Sequence, residues 1–301
     1  MQQLLSALQE AQVGEIRLNE PMADYTTWKI GGPADIMIEP SGVEQLQKVM
    51  QMIGQYQAPW LIIGRGSNML ISDKGIRGVV IHLNKGFDHV AYNDDGVTAG
   101  AAFSLIKLCV LAGKQGLTGL EFASGIPGTV GGAVYMNAGA HGSDLSRILK
   151  HAVVVRDTGE LVTMKAEDFQ YAYRYSVLQD HPGIVVEAVL HLTQGDRREI
   201  AAAMAAYRDR RLRTQPFHEA CGGSTFRNPE HHYAAKLIED AGLKGMRAGG
   251  AEISMKHANF IVNTGQATAR DVLTLMELMK QTVQEKYSIE LVPEVLVVGE
   301  R

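Results

Sequence analysis

Residues 119–142 read GLEFASGIPGTVGGAVYMNAGAHG, seven glycines with one proline and a single carboxylate. Glycine at this density gives up backbone entropy on folding, so such a stretch implies that something comes within backbone distance of the chain. Successive N–H groups leading into a helix start can cradle a pyrophosphate. The same composition suits a loop packed beneath a helix, and local composition does not separate the two. A second glycine loop, Gly64-Arg65-Gly66-Ser67-Asn68, follows the apolar run Trp60-Leu61-Ile62-Ile63. Two such loops in one chain favour a dinucleotide over packing. The loop lacks the third glycine of G-x-G-x-x-G, and no acidic residue stands about twenty positions on in the right context, which argues against a Rossmann domain. No phosphate-binding G-x-x-x-x-G-K-[ST] occurs.

The elements that must carry these loops follow from periodicity. MQQLLSALQE reads as a short amphipathic helix rather than a signal peptide. Val43, Leu46, Val49, Met50 and Ile53 recur at helical spacing behind Pro40 and Ser41. Leu61–Ile63, Val79–Leu83 and Val97–Ala102 read as short strands, and Ser104 to Lys114 as a helix. Val153–Arg156 and Leu161–Met164 flank Asp157-Thr158-Gly159, a hairpin signal, and Ile184–Leu192 alternates as a strand. The alanine- and arginine-rich run after Gly195-Asp196 predicts a helix, and the composition shift places a domain boundary there. Beyond it the pattern predicts a loop at Cys221–Asn228, a helix near Tyr233–Ala241, a strand at Asn259–Val262 and a helix from Ala269 to Tyr287. That last helix carries a core stripe of Val272, Leu275, Met276, Met279 and Val283. Ile289–Val298 reads as a terminal strand interrupted by Pro293.

A chain of 301 residues fits roughly two domains. The expected ranges are 1–29 for an N-terminal helix and arm, 30–195 for the first domain and 196–301 for the second. With 46% hydrophobic and 21% charged residues and a net charge of -4, the composition is that of a globular protein without a nucleic-acid or membrane-surface footprint. No run approaches the ~20 apolar residues of a membrane span. Cys109 and Cys221 are too few for a disulfide framework; Cys109 reads as a buried small hydrophobe, and Cys221 as a loop residue open to exposure. Adjacent His231 and His232 suit neither zinc geometry nor a shared helix face, so the expectation is a metal-free, cytoplasmic protein.

WKIGGPAD (28–35), IIGRGSNMLISD (62–73), the segment 119–142, YAYRYS (171–176), GSTFRNP (223–229), AGLKG (241–245), KHANFIVN (256–263) and PEVLVVG (293–299) occur in that order. Together they closely resemble the UDP-N-acetylenolpyruvoylglucosamine reductases, the MurB flavoenzymes of peptidoglycan synthesis, over nearly the whole chain. The resemblance implies an α+β protein with an FAD-binding region of vanillyl-alcohol-oxidase/MurB (PCMH) type followed by a smaller α+β substrate-binding domain. It implies NADPH-dependent, FAD-mediated reduction of UDP-N-acetylglucosamine enolpyruvate to UDP-N-acetylmuramate, a cytoplasmic step of cell-wall synthesis bearing on cell shape, division and the cell cycle. The spacing after Arg174 leaves little room for the tyrosine-bearing insertion of longer members, so the chain resembles the shorter, type II form.

The implied reaction leaves carbanion character beside the substrate carboxylate, which calls for cationic support and a proton donor. The resemblance makes Ser224 the proton donor, Arg174 the cation beside the carboxylate and Glu294 the second acid. Read alone, Ser224 suits a turn serine and Arg174 a surface cation. A carboxylate in an apolar strand must be paired, protonated or functional unless that strand is an edge, which is the choice Glu294 presents. Non-covalent FAD would be held by Gly64, Gly66, Ser67 and Asn68 and by Gly125, Ile126, Pro127, Gly128, Thr129, Gly131 and Gly132. Asn228 would meet the uridine diphosphate, with Tyr173, Arg213, Lys256 and His257 as further substrate candidates. Cys221-Gly222-Gly223-Ser224 departs from the family pattern by one glycine, expected to loosen the loop. Two rival functions are a flavin oxidase of the same superfamily, many of which tether FAD through a histidine that Gly64–Asn68 lacks, and a non-catalytic flavin or nucleotide-sugar sensor, which would need no proton donor.

Overall fold

The computed structural model describes residues 1–93 and 96–300, so the expected second domain runs one residue past them, to Arg301. Packing divides the chain into two compact units. The first comprises Met1–Leu18, Ile36–Gly64 and Gly78–Arg210; the second comprises Asn19–Asp35, Arg65–Arg77 and the chain from Arg211 onward. This division differs from the contiguous ranges 1–29, 30–195 and 196–301. The physical reason is core membership: Trp28, Ile30 and Leu70 are buried with Phe226, Leu275 and Met279 of the second unit. The composition shift at Gly195 marks the start of a helix, Arg197–Thr214, not an edge of packing.

In the first unit, α1 (Gln2–Glu10) buries Leu4 and Leu8. The stripe Leu46, Val49, Met50 and Ile53 is the buried face of α2 (Val43–Gln55). Trp60–Ile63 runs parallel to Ile76–His82, with Leu61 opposite Val80. A second sheet has five strands in the order Leu161–Lys165, Leu149–Arg156, Gly183–Leu190, Gly96–Gly100 and Val90–Asn93. Its first pair is the expected hairpin, closed where Arg156 N–H donates to Glu160 at 2.8 Å. Helix α3 (Leu105–Lys114) begins at Ser104, whose hydroxyl accepts from Lys107 N–H. Cys109 lies on its buried face, its thiol donating to Leu120 C=O at 3.2 Å. Burial, with Glu121 nearby, pushes that thiol up to about 12, so Cys109 acts as a packed hydrophobe. Helix α4 (Val130–Met136) lies against Gly183–Leu190, and α5 is Arg197–Thr214.

The second unit pairs four short strands in the order Ala220–Cys221, Ile261–Asn263, Ala251–Ile253 and Arg247–Ala248. Helix α6 spans Ala234–Asp240 and α7 spans Ala269–Tyr287. Thr268 and Asp271 form a capping box at the α7 start, and the Asp73 carboxylate accepts from Ala269 and Arg270 N–H at 2.7 and 3.1 Å. The predicted stripe of Val272, Leu275, Met276, Met279 and Val283 is buried. The terminal strand is shorter than expected: only Leu296–Val298 is a strand, parallel to Met69–Ile71. Pro293 has no N–H to give a ladder, and it forms only an isolated bridge with Phe226.

Candidate functional site

Gly64 ends its strand against the glycine-rich segment: a Cβ there would stand 2.8 Å from Thr129 Oγ1, so a side chain at Gly64 would part the two. Thr129 in turn caps α4 by accepting from Gly132 N–H at 3.3 Å. Val130 N–H donates to Phe103 C=O and Gly131 N–H to Ala101 C=O, each at 2.9 Å. The first three N–H groups of α4 are therefore spent inside the protein, and the expectation of a free N–H row for pyrophosphate does not hold there. Gly131 answers to packing, since its Cβ would lie 2.9 Å from that of Ala101. Just upstream, Phe122, Ala123, Ser124 and Gly125 are buried, Ile126 is half-buried and Pro127 is exposed. Gly128 gives its carbonyl to Leu105 N–H at 3.2 Å. The Ser124 hydroxyl is buried without a hydrogen-bond partner among the described residues. Such a group costs about 1–3 kcal/mol, a cost that a bound group with a matching polar atom offsets. This orphaned hydroxyl and the open face of Gly132, whose nearest neighbour to a Cβ is Thr129 Oγ1 at 3.4 Å, fit an extended polar cofactor such as FAD.

The segment 171–176 docks on the same region. Ala172 and Tyr175 exchange both backbone hydrogen bonds at 3.2 Å, leaving Tyr173 and Arg174 as a two-residue turn. Arg174 takes a left-handed φ of 57°, uncommon for a long side chain and held only where the surroundings dictate it. The surroundings do so: Asn137 Nδ2 donates to Ala172 C=O at 3.0 Å, Tyr171 Oη to Val134 C=O at 3.1 Å and Ser176 Oγ to Tyr135 C=O at 2.6 Å. The guanidinium donates to Gly139 C=O at 2.7 Å and lies 5.0 Å from the centroid of the Tyr173 ring, which is 51% exposed. Arg174 is thus planted on the downstream end of the glycine-rich segment.

In the second unit, Thr27 N–H donates to Gly66 C=O, and Ser67 is half-buried. Asn68 spends its amide on the main chain, Nδ2 donating to Glu294 C=O at 3.1 Å while its own carbonyl accepts from Leu296 N–H at 3.0 Å. The expected loosening at Gly222 is overturned. The fully buried Trp28 ring covers it, so that a Cβ would lie 2.5 Å from Cζ3. Trp28 Nε1 donates to Ile261 C=O at 2.8 Å, and Thr27 Oγ1 to Cys221 C=O at 2.7 Å. Gly223 follows with φ of 79°, a conformation that suits glycine. Cys221 is half-buried rather than open, and burial raises its thiol above the ordinary range.

Ser224 and Glu294 are joined through Thr225, whose carbonyl accepts from Glu294 N–H at 2.9 Å; Arg227 N–H extends the pairing to Val292 C=O at 2.9 Å. Both Ser224 and Glu294 are half-buried. Glu294 precedes the strand rather than lying within it, so the argument from a buried unpaired charge does not apply. Thr225 is fully buried, its hydroxyl without a partner among the described residues. The buried Asn259 gives its backbone carbonyl to Thr225 N–H and its amide to both backbone groups of Phe226.

Of the remaining candidates, Asn228, Lys256 and His257 hold structural contacts. Asn228 Oδ1 accepts from Ala234 N–H at 3.1 Å, at the start of α6. Lys256 Nζ donates to Leu212 C=O at 2.5 Å, and Arg213 is exposed on α5. His257 Nδ1 accepts from Asn259 N–H at 3.3 Å; burial, helped by the Lys244 charge, holds this imidazole below its ordinary range, which keeps it an acceptor. Sequence reasoning passed over Trp28, Ser124 and Asn259. The available signals were a tryptophan three residues ahead of the pair Gly31-Gly32 and an amide inside the apolar run Ala258–Val262.

Residues 34–165 match the FAD binding domain family, and residues 215–298 match the UDP-N-acetylenolpyruvoylglucosamine reductase C-terminal domain. UDP-N-acetylenolpyruvoylglucosamine reductase 1 of Bacillus cereus is 52% identical over 99% of this chain and all of its own length. The Bacillus subtilis reductase is 49% identical over 99% of each chain. Among solved structures, the UDP-N-acetylenolpyruvylglucosamine reductase of Thermus caldophilus is 37% identical, with a TM-score of 0.81 over 94% of this chain and 98% of that one. A glucose dehydrogenase, Phl p 4.0202, reaches a TM-score of 0.50 at 15% identity over 65% of this chain, a likeness of fold alone.

Proposed function

The chain belongs to the UDP-N-acetylenolpyruvoylglucosamine reductase family, and from that premise we propose how its own residues carry out the reduction of UDP-N-acetylglucosamine enolpyruvate to UDP-N-acetylmuramate. The protein is an FAD-dependent oxidoreductase whose FAD-binding region is of the vanillyl-alcohol-oxidase/MurB type. When bound, FAD supplies the two-electron chemistry that links NADPH to the enolpyruvyl double bond. In the first unit Gly64, Ser124, Gly125 and Gly132 would hold it, by close backbone approach and by the unpartnered Ser124 hydroxyl.

Arg174, planted at Gly139 with its backbone in a left-handed turn, would hold the substrate carboxylate through its planar guanidinium. Ser224 would deliver a proton to the carbon beside that carboxylate, and Glu294 would act as the second acid on the same carbanion-like centre. The observation that supports pairing Ser224 with Glu294 is the Glu294 N–H to Thr225 C=O bond, which ties two residues 70 positions apart in sequence to adjoining backbone. Acting on a nucleotide sugar for the cell wall, the protein would work in the cytoplasm and bear on cell shape and division. Among the described residues no helix is long and apolar enough to cross a membrane.

Anaerobic mixing of the purified yellow protein with NADPH, then with UDP-N-acetylglucosamine enolpyruvate, tests this reading. Bleaching in the first step and recolouring in the second support it. A flavin that bleaches but is reoxidised only by oxygen, or that stays on the chain after denaturation, overturns it in favour of an oxidase.

A further inference from the structure

Asn259 has no role in the assignments above, yet it is among the most fully committed polar side chains of the second unit. It is 3% exposed, and its amide is used on both sides: Oδ1 accepts from Phe226 N–H at 3.0 Å, and Nδ2 donates to Phe226 C=O at 2.8 Å. Its backbone carbonyl accepts from Thr225 N–H at 2.8 Å. Regular pairing between these segments stops earlier, with Cys221 opposite Val262. From there the chain leaves the ladder, because the Trp28 ring occupies the space over Gly222 and its Nε1 takes the Ile261 carbonyl. Residues 222–224 therefore form an arch with two fixed feet, Cys221 on Val262 and Thr225-Phe226 on Asn259. Ser224 stands next to the second foot.

We propose that Asn259 is the positioning residue of this arch: its side-chain amide stands in for a missing strand partner and sets where Ser224 and, through Thr225 C=O, Glu294 stand. The proposal rests on the reading of Ser224 as proton donor. The residue type follows from the chemistry. Phe226 is 1% exposed, so both its backbone groups need partners. Only a carboxamide offers a donor and an acceptor side by side. An aspartate keeps the acceptor, loses the donor and faces Phe226 C=O with a charged oxygen; an alanine leaves both backbone groups unpaired. Asn259 itself makes no claim on the substrate. It acts through Phe226 and Thr225, and its own N–H is held by His257 Nδ1.

The test uses the FAD-loaded protein and separates the two half-reactions by anaerobic rapid mixing, first with NADPH and then with UDP-N-acetylglucosamine enolpyruvate. For Asn259→Asp, flavin content and reduction by NADPH are expected within about twofold of the parent, while reoxidation by the substrate slows roughly 10- to 100-fold, because a displaced donor loses geometry before it loses binding. The loss is expected in kcat, with the substrate KM changed by less than about threefold. Equal losses in both half-reactions, or losses that track flavin content, would mark a merely structural residue and overturn the proposal. Should Asn259→Asp fail to fold, Asn259→Ser, which keeps a hydroxyl to donate to or accept from Phe226, carries the same comparison. Ser224→Ala measured alongside keeps the two readings apart. If it leaves reoxidation fast, the proton-donor assignment falls; if it slows reoxidation and the Asn259 variants do not, the positioning role falls alone.

Discussion

Two glycine clusters look alike in the sequence and are built for opposite ends. Around Gly125–Gly132 in the first unit, glycine lets Gly64 approach Thr129 and Gly131 approach Ala101, while the Ser124 hydroxyl stays unpaired and Gly132 presents an open face. At Gly222-Gly223 in the second unit, the space that glycine leaves is filled by Trp28, and the chain on either side is bonded to Thr27, Asn259 and Glu294. Under the proposed function, one cluster keeps room for a group the chain itself does not supply; the other spends its room on holding a serine still. Carrying a cofactor asks for close approach along a length of backbone. Delivering a proton asks for one atom in one place.

The comparison breaks first at Ser224. Ser224→Ala is expected to leave reduction by NADPH near the parent rate and to slow reoxidation by UDP-N-acetylglucosamine enolpyruvate roughly 10²- to 10⁴-fold, the scale of losing a positioned general acid. Anaerobic rapid mixing reads both rates from the flavin colour. Equal slowing of both steps would mean that the second cluster also shapes the cofactor site, and the contrast would collapse.

What the sequence made legible divides along the same line. Helices α2, α3 and α7 were readable to within a few residues, because their signals are local: a stripe at helical spacing, Ser104 as a cap, and Thr268 with Asp271 as a capping box. The glycine-rich segment announced a close approach but not its cause at each glycine, since Ala101 and Thr129 are set beside it only by the fold. The arch at Ser224 was read as loose because its fasteners lie far away, Trp28 bonding across 233 positions and Asn259 across 33. For the same reason 19–29 was assigned to an N-terminal arm, and 30–35 and 65–77 to the first domain. Ile289–Val298 read as a strand interrupted by Pro293, and only the part beyond that proline, Leu296–Val298, is a strand. Arg174, Ser224 and Glu294 are ordinary residue types in ordinary company; the roles proposed for them rest on a resemblance spanning the chain.

Alanine at one glycine of each cluster sharpens the contrast in stability. Gly222→Ala puts a Cβ 2.5 Å from a fully buried indole carbon, a collision relieved only by moving Trp28 and the bond from Nε1 to Ile261. A loss of about 1–3 kcal/mol is expected in denaturant unfolding, the usual cost of overpacking a tight core. Gly132→Ala, in the first turn of α4 with 3.4 Å to its nearest neighbour, is expected to hold or gain stability by up to ~1 kcal/mol from helix propensity. Its effect should fall on flavin retention instead, read as faster FAD loss on dilution. A Gly132→Ala protein that unfolds as easily as Gly222→Ala would show that the first cluster is packing throughout.

The smallest effects concern the two unpartnered hydroxyls, one in each region. Thr225→Val removes an oxygen that no described residue bonds and keeps the shape, so stability should stay within about 0.5 kcal/mol of the parent or rise. Ser124→Ala should likewise spare the FAD-free protein. The two diverge once cofactor is present. If the Ser124 hydroxyl serves FAD, its removal costs roughly 0.5–1.5 kcal/mol of flavin affinity, the net worth of one hydrogen bond, which flavin titration of the stripped protein measures. Thr225→Val should leave that affinity where it was, because the oxygen sits under the serine arch rather than in the glycine-rich segment. A loss of flavin affinity in Thr225→Val, with none in Ser124→Ala, would reverse the assignment of the two regions.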